Sequence, residues 1–153
     1  MVTAKDVILG QLQTGQFLLE GFTKDLSDAE YFKPAAPGTN HAAWVLGHIA
    51  CTEDWGRWLI SGGPKKLDEA THALFKGGSK CVPDASKYPA RATLDTLFRE
   101  SRAHLAEALK VFDDSKWETP TPEHGPKAIG RFQGGWQMGE CHAAEHHNGS
   151  PLP

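Results

Sequence analysis

HAAWVLGHIACTEDWGRWLI, residues 41 to 60, carries the periodicity that decides the fold. Trp44, His48, Cys51 with Thr52, Trp55 and Leu59 recur at steps of three and four, which places them on one stripe of an α-helix. Asn40 is placed as its N-cap, because an asparagine side chain accepts from a free N–H of the first turn. Gly62, Gly63 and Pro64 end the run. A helix with so apolar a stripe has to bury it against other elements.

Three further stretches supply those elements. From about Ala4 to Leu26, residues Ile8, Leu12, Gly15, Leu19, Phe22 and Leu26 share one helical face, and the turn-rich SDAEYFKPAAPGTN follows. From about Ala90 to Phe112, residues Leu94, Leu97 with Phe98, Ser101, Leu105, Ala108 with Leu109, and Phe112 are in phase. The last stretch, about Gly130 to His147, is helical in pattern but is weakened by Gly134, Gly135 and Gly139, each costing about 1 kcal/mol against alanine. Residues 63 to 89 are rich in Lys, Gly and Pro. They form a long connection with one short helix near Leu67 to Leu74, and a connection of that length in a compact domain is often functional. No run alternates with period two. The expectation is an all-α chain, a single four-helix-bundle domain over residues 1–153, with its long loop-rich connection between the second and third helices.

Composition narrows the function classes. A formal net charge of −3 and a pI near 6.2 offer no basic face for nucleic acid. MVTAKDVILG carries charge at Lys5 and Asp6 and does not resemble a signal peptide, and no window approaches the roughly 18–20 apolar residues that span a bilayer. Cys51, Cys81 and Cys141 are odd in number and form no CxxC pair, which fits a reducing compartment. A cytoplasmic protein without membrane or direct nucleic-acid contacts is expected.

The histidines are the chemistry-bearing residues. His48 shares the stripe of Trp44 and Trp55, so it points inward. A buried imidazole needs its nitrogens satisfied either by hydrogen bonds or by a metal. Near the C-terminus, GECHAAEHHNGS holds His142 and His146 at i, i+4, one turn apart on a single helix face and close enough to share an ion. A solvated helix end is the plain alternative. His147 is turned by about 100° from His146, toward solvent or a partner chain. His41 falls in the first helical turn, His72 and His124 in connections, and His104 at a core edge. Glu145 and Glu53 lie three and five residues after histidines of interest. Each is a candidate general base or orienting carboxylate, and each has a solvated helix carboxylate as its alternative. Cys51 and Cys141 are thiolate candidates, although lone helix cysteines are usually packed and inert.

The WVLGHIA stretch, Trp44 to Ala50, resembles the W-x-x-G-H segment of the DinB-like superfamily, and HAAEHHNGS resembles its closing H-x-x-x-H. The order of helices is similar too, over nearly the whole chain. The resemblance implies a metal-binding four-helix bundle whose histidine triad falls on His48, His142 and His146. Members commonly follow the closing histidine with x-Gly-Gln. Aligning on Gly149 instead makes His147 the third ligand and puts Ala143, which has no donor, in its partner's place.

Three imidazoles leave coordination positions open, as catalytic sites do. They accept zinc or nickel, and also manganese or iron. Such an ion either activates water for hydrolysis or binds a thiol. The resemblance implies a thiol-dependent transferase or isomerase using a low-molecular-weight thiol, or a hydrolase, acting on an unknown small molecule, and it implies a homodimer. The alternative is a stress-linked metal-binding or dimerising protein without turnover.

Overall fold

The computed structural model describes residues 2–117. It is helical, and no strand occurs among the described residues. Three long helices carry it: α1 (Ala4–Thr23), α3 (Ala42–Ser61) and α5 (Arg91–Lys110). Two short ones, α2 (Asp28–Tyr31) and α4 (Glu69–Phe75), lie in the connections, with single 3-10 turns at Ala85–Lys87 and Asp114–Lys116. The three long helices fall on the first three expected stretches. The fourth, 130 to 147, lies outside the described residues.

Local chemistry sets the ends. Thr3 and Asp6 form a reciprocal capping box at the start of α1, and Ser27 and Glu30 form another on α2. α3 begins one residue later than the Asn40 cap predicts. His41 has the extended cap conformation, and its Nδ1 accepts from the Trp44 N–H at 3.0 Å. The imidazole does there what an asparagine side chain does elsewhere. Gly62 closes α3 in the left-handed conformation (φ 68°), returning its N–H to the Trp58 carbonyl at 2.9 Å.

α3 is the central helix. Thirteen of its 20 residues are buried, so it is covered on more than one face. α5 packs along it, α4 lies against it, and α1 packs on α5. The main core joins Trp44, Leu46 and Ile49 of α3 to Leu94 and Phe98 of α5, with Tyr31 and Phe75 fully enclosed. Leu59, Phe112, Trp55, Trp58 and Trp117 form a second cluster at the other end of α3. α1 is peripheral: Leu19 is its one buried residue, and Phe22, expected on its inward stripe, is 64% exposed.

One buried ion pair fastens the three long helices together. Arg102 of α5 donates from Nε at 2.9 Å, and also from a terminal nitrogen, to Glu53 Oε1 of α3. Its other terminal nitrogen donates to the Leu12 carbonyl of α1 at 2.8 Å. Gly15 makes room for this on α1, since a Cβ there would meet the guanidinium at 3.3 Å. The Arg102 guanidinium also covers the Phe98 ring, 4.6 Å from its centroid. At the opposite end Arg91 donates to the carbonyls of Thr23 and Leu26, closing the exit of α1.

Because a buried charge left without its partner is costly, Glu53→Ala is expected to lower unfolding free energy by about 3–5 kcal/mol. The joint Glu53→Met, Arg102→Met exchange is expected to recover most of that loss. Urea unfolding of the two variants beside the parent chain checks both values.

Candidate functional site

The face of α3 opposite Glu53 is a column of polar and aromatic side chains, and each engages the connection between α3 and α5. At its lower end Asp54, 1% exposed, accepts from the N–H groups of Lys66 (2.9 Å) and Leu67 (3.1 Å) and contacts His72 Nε2 at 3.0 Å. Arg57 Nε lies 3.4 Å from the same carboxylate, and its terminal nitrogens reach Ser61 and the Pro64 carbonyl. One turn up, the Cys51 thiol faces the Thr71 carbonyl at 3.7 Å. Next, His48 Nδ1 meets the Phe75 carbonyl at 2.7 Å. Trp44 Nε1 then donates to Ser79 Oγ at 3.1 Å, and His41 Nε2 to the Val82 carbonyl at 3.1 Å.

A carbonyl oxygen only accepts, so these contacts fix two tautomers. His41 carries its proton on Nε2, leaving Nδ1 to accept the Trp44 N–H. His48 carries its proton on Nδ1, which makes Nε2 the basic nitrogen. The His48 ring is 6% exposed and stacked on Trp44, with centroids 4.8 Å apart and planes 12° from parallel. Phe75 O is one of the last carbonyls of α4, a group without a partner inside its own helix, and the imidazole N–H supplies that partner. Gly47 is fixed by the same packing. A Cβ there would fall 2.4 Å from the Phe75 ring.

Electrostatics sort the remaining candidates. Burial pushes the Cys51 thiol up to about 12, with Asp54 adding to the effect, so Cys51 is a packed thiol and no thiolate at neutral pH. Burial also raises Cys81. For Asp54, burial acts upward, but the N–H groups of Lys66 and Leu67, then His72 and Arg57, outweigh it and hold the carboxyl below its usual range. Burial raises the Glu53 carboxyl against the pull of Arg102.

Glu53 stands on the far side of α3 from His48. Five residues on a helix turn about 500°, a net rotation of about 140°. The place beside the His48 ring proton belongs to the Phe75 carbonyl. Glu53 Oε1 holds Arg102, and Oε2 has no hydrogen-bond partner among the described residues. His104 is exposed, and His72 belongs to α4. His142, His146, His147, Glu145, Cys141 and His124 lie outside the described residues. Among the described residues no group of three or more His, Cys, Asp or Glu could hold a metal ion, and no helix is long and apolar enough to cross a membrane.

The sequence profile of the DinB superfamily matches residues 11–148, from α1 through the His-rich stretch. The chain belongs to the DinB superfamily. That match places both the W-x-x-G-H segment of α3 and the H-x-x-x-H segment inside the family's bounds. No curated protein and no solved structure matches the chain.

Sequence reasoning missed Asp54 and the Phe75 carbonyl. TEDWGR gave one signal for Asp54: an acidic residue three before an arginine on an otherwise buried helix. Nothing in the sequence marks a main-chain carbonyl 27 positions from its histidine.

The His41 tautomer has a pH consequence. Burial holds its pKa below the ordinary 6.5, the hydrogen bonds opposing more weakly. The fold therefore favours the neutral ring. Its contribution to stability is complete above about pH 6.5 and is lost as pH falls through the lower folded value. His41→Asn keeps a capping side chain and removes the titration. The difference in melting temperature between the variant and the parent chain is expected to shift in the variant's favour between pH 7 and pH 5.

Proposed function

We propose that the chain is a metal-dependent enzyme that holds one divalent ion through His48, His142 and His146, with His147 as the alternative to His146. The observation that carries this reading is the His48 contact to Phe75. Metal-binding histidines commonly donate their other ring N–H to a carbonyl or carboxylate, which fixes the tautomer and raises the basicity of the ligating nitrogen. His48 has that arrangement, with Nδ1 committed and Nε2 basic, in a buried position stacked on Trp44. Membership of the DinB superfamily and the i, i+4 pair at His142 and His146 add to it.

The donor chemistry suits zinc or nickel, with manganese or iron also compatible. A bound ion with open positions lowers the pKa of a coordinated water or thiol. The chain's own groups restrict which reaction follows. With Cys51 raised to about 12 and Cys81 raised by burial, neither supplies a thiolate. In a transfer or isomerisation, the thiol then comes from a low-molecular-weight cosubstrate or from Cys141, which lies outside the described residues. Asp54 and Glu53 are spent on the connection and on Arg102, so proton transfer falls to Glu145 or to the solvent; in the hydrolase reading the same division holds. Trp44, stacked on the His48 ring, would set an aromatic face beside an ion held there.

Elemental analysis of untagged protein, purified without chelators, tests the reading. About one divalent ion per chain is expected, falling to background in His48→Ala and His142→Ala. Absence of metal after reconstitution with zinc and nickel would sink it. With metal present, turnover of an electrophile plus thiol that is lost in His48→Ala separates an enzyme from a non-catalytic metal-binding protein.

A further inference from the structure

Asp54 and His48 contact the two ends of one short helical segment. Asp54 Oδ1 and Oδ2 take the N–H groups of Lys66 and Leu67, immediately before the α4 N-cap Asp68. Its Oδ2 also meets His72 at the middle of the same helix. α4 then runs from Glu69 to Phe75 and ends on the carbonyl that receives the His48 N–H. Phe75 is fully buried, its ring lodged where Gly47 leaves out a side chain. The carboxylate is 1% exposed, and all its partners except Arg57 belong to the connection.

We propose that this clasp regulates the metal site: Asp54, by fixing α4, holds the Phe75 carbonyl on His48 Nδ1 and so sets how tightly His48 Nε2 binds a divalent ion. The proposal rests on the metal-site reading above. Asp54 is a positioning residue and touches no ion. When the clasp opens, α4 moves with Lys66, Leu67 and His72, the Nδ1 partner is lost, and the imidazole is released to other tautomers and rotations. Linkage makes the effect mutual, because whatever factor the clasp adds to metal affinity, bound metal returns to the closed clasp. A connection that looks like a plain crossover thereby becomes an element through which anything that binds or displaces residues 64 to 76 changes metal affinity.

The test uses the full chain and zinc alone, with affinity read by competition against a chromophoric chelator. Asp54→Asn removes the charge and turns one acceptor into a donor. His72→Ala removes a single contact from a half-buried position and should leave the fold intact. Tyr31→Phe is the control, since it deletes the fully buried ring's hydroxyl bond to Asp95 (2.9 Å), which lies away from the clasp. Asp54→Asn is expected to weaken zinc binding about 10-fold or more, the usual effect of removing support behind a ligand, and His72→Ala to weaken it in the same direction. Tyr31→Phe should stay within about twofold of the parent chain, whatever it does to melting temperature. Zinc should also slow amide exchange at Lys66 and Leu67 in the parent chain. Parent-like affinity in folded Asp54→Asn and His72→Ala, beside loss of binding in His48→Ala, overturns the clasp and leaves the metal site standing. Equal weakening in Tyr31→Phe overturns it too, by making general destabilisation the cause. An absence of zinc binding in the parent chain overturns both readings together.

Discussion

The Glu53–Arg102 pair is the constraint on which the described architecture depends. α1 contributes one buried side chain, Leu19, too little apolar area to hold a helix in place by itself. Arg102 compensates by reaching from α5 to the Leu12 carbonyl while its charge is met by Glu53. A hydrophobic contact tolerates sliding along a helix. A guanidinium held by two fixed acceptors, Glu53 Oε1 and the Leu12 carbonyl, does not, so this pair sets the register of three helices at once. Burial of this kind is weak as a source of net stability and strong as a source of uniqueness in this chain, because every alternative register strands a charge.

With one face of α3 committed to α5, the opposite face is available for the connection. Here the chain uses short polar reach in place of apolar packing. Asp54, Cys51, His48, Trp44 and His41 each hold a main-chain or side-chain group of the crossing segment. Irregular backbone laid against a buried helix has N–H and C=O groups that need partners. The polar residues of α3 and its cap supply those partners, and that explains why this face carries His41, His48, Asp54 and Arg57. His48 belongs to this column by spacing alone, and its tautomer follows from its position in it.

Much of this was legible in the sequence. Steps of three and four identified α1, α3 and α5, because burial of one stripe needs no knowledge of what lies opposite. Of the six buried residues of α5, its periodicity marks Leu94, Phe98, Ser101, Leu105 and Leu109, and misses Arg102. The Trp44–His48–Cys51 stripe was also readable, although periodicity could not say that it faces the connection. Residues paired across long separations were opaque. Glu53 and Arg102 lie 49 positions apart, and each alone looks like an ordinary helix charge. The Asn40 cap failed locally, since two adjacent residues can both cap and backbone conformation chose His41. Phe22 fits its helical stripe yet is exposed, so periodicity overstated the buried face of α1. Of the candidate triad only His48 falls among the described residues, on the buried stripe that its spacing marks, while His142 and His146 lie beyond residue 117.

The column on α3 also works as a ruler. Its members fall at 54, 51, 48, 44 and 41, and their partners fall at 67, 71, 75, 79 and 82, running the opposite way. Each rung fixes the length of chain to the next, so an insertion or deletion between 67 and 82 displaces every later rung. Outside those limits the demand lapses, as at the exposed Pro83–Lys87 bulge before Tyr88 returns its hydroxyl to the Val82 N–H. A segment whose composition looks like variable loop is therefore divided by length tolerance. Its middle is as intolerant of indels as a helix core, and its margin is the place where the chain can grow.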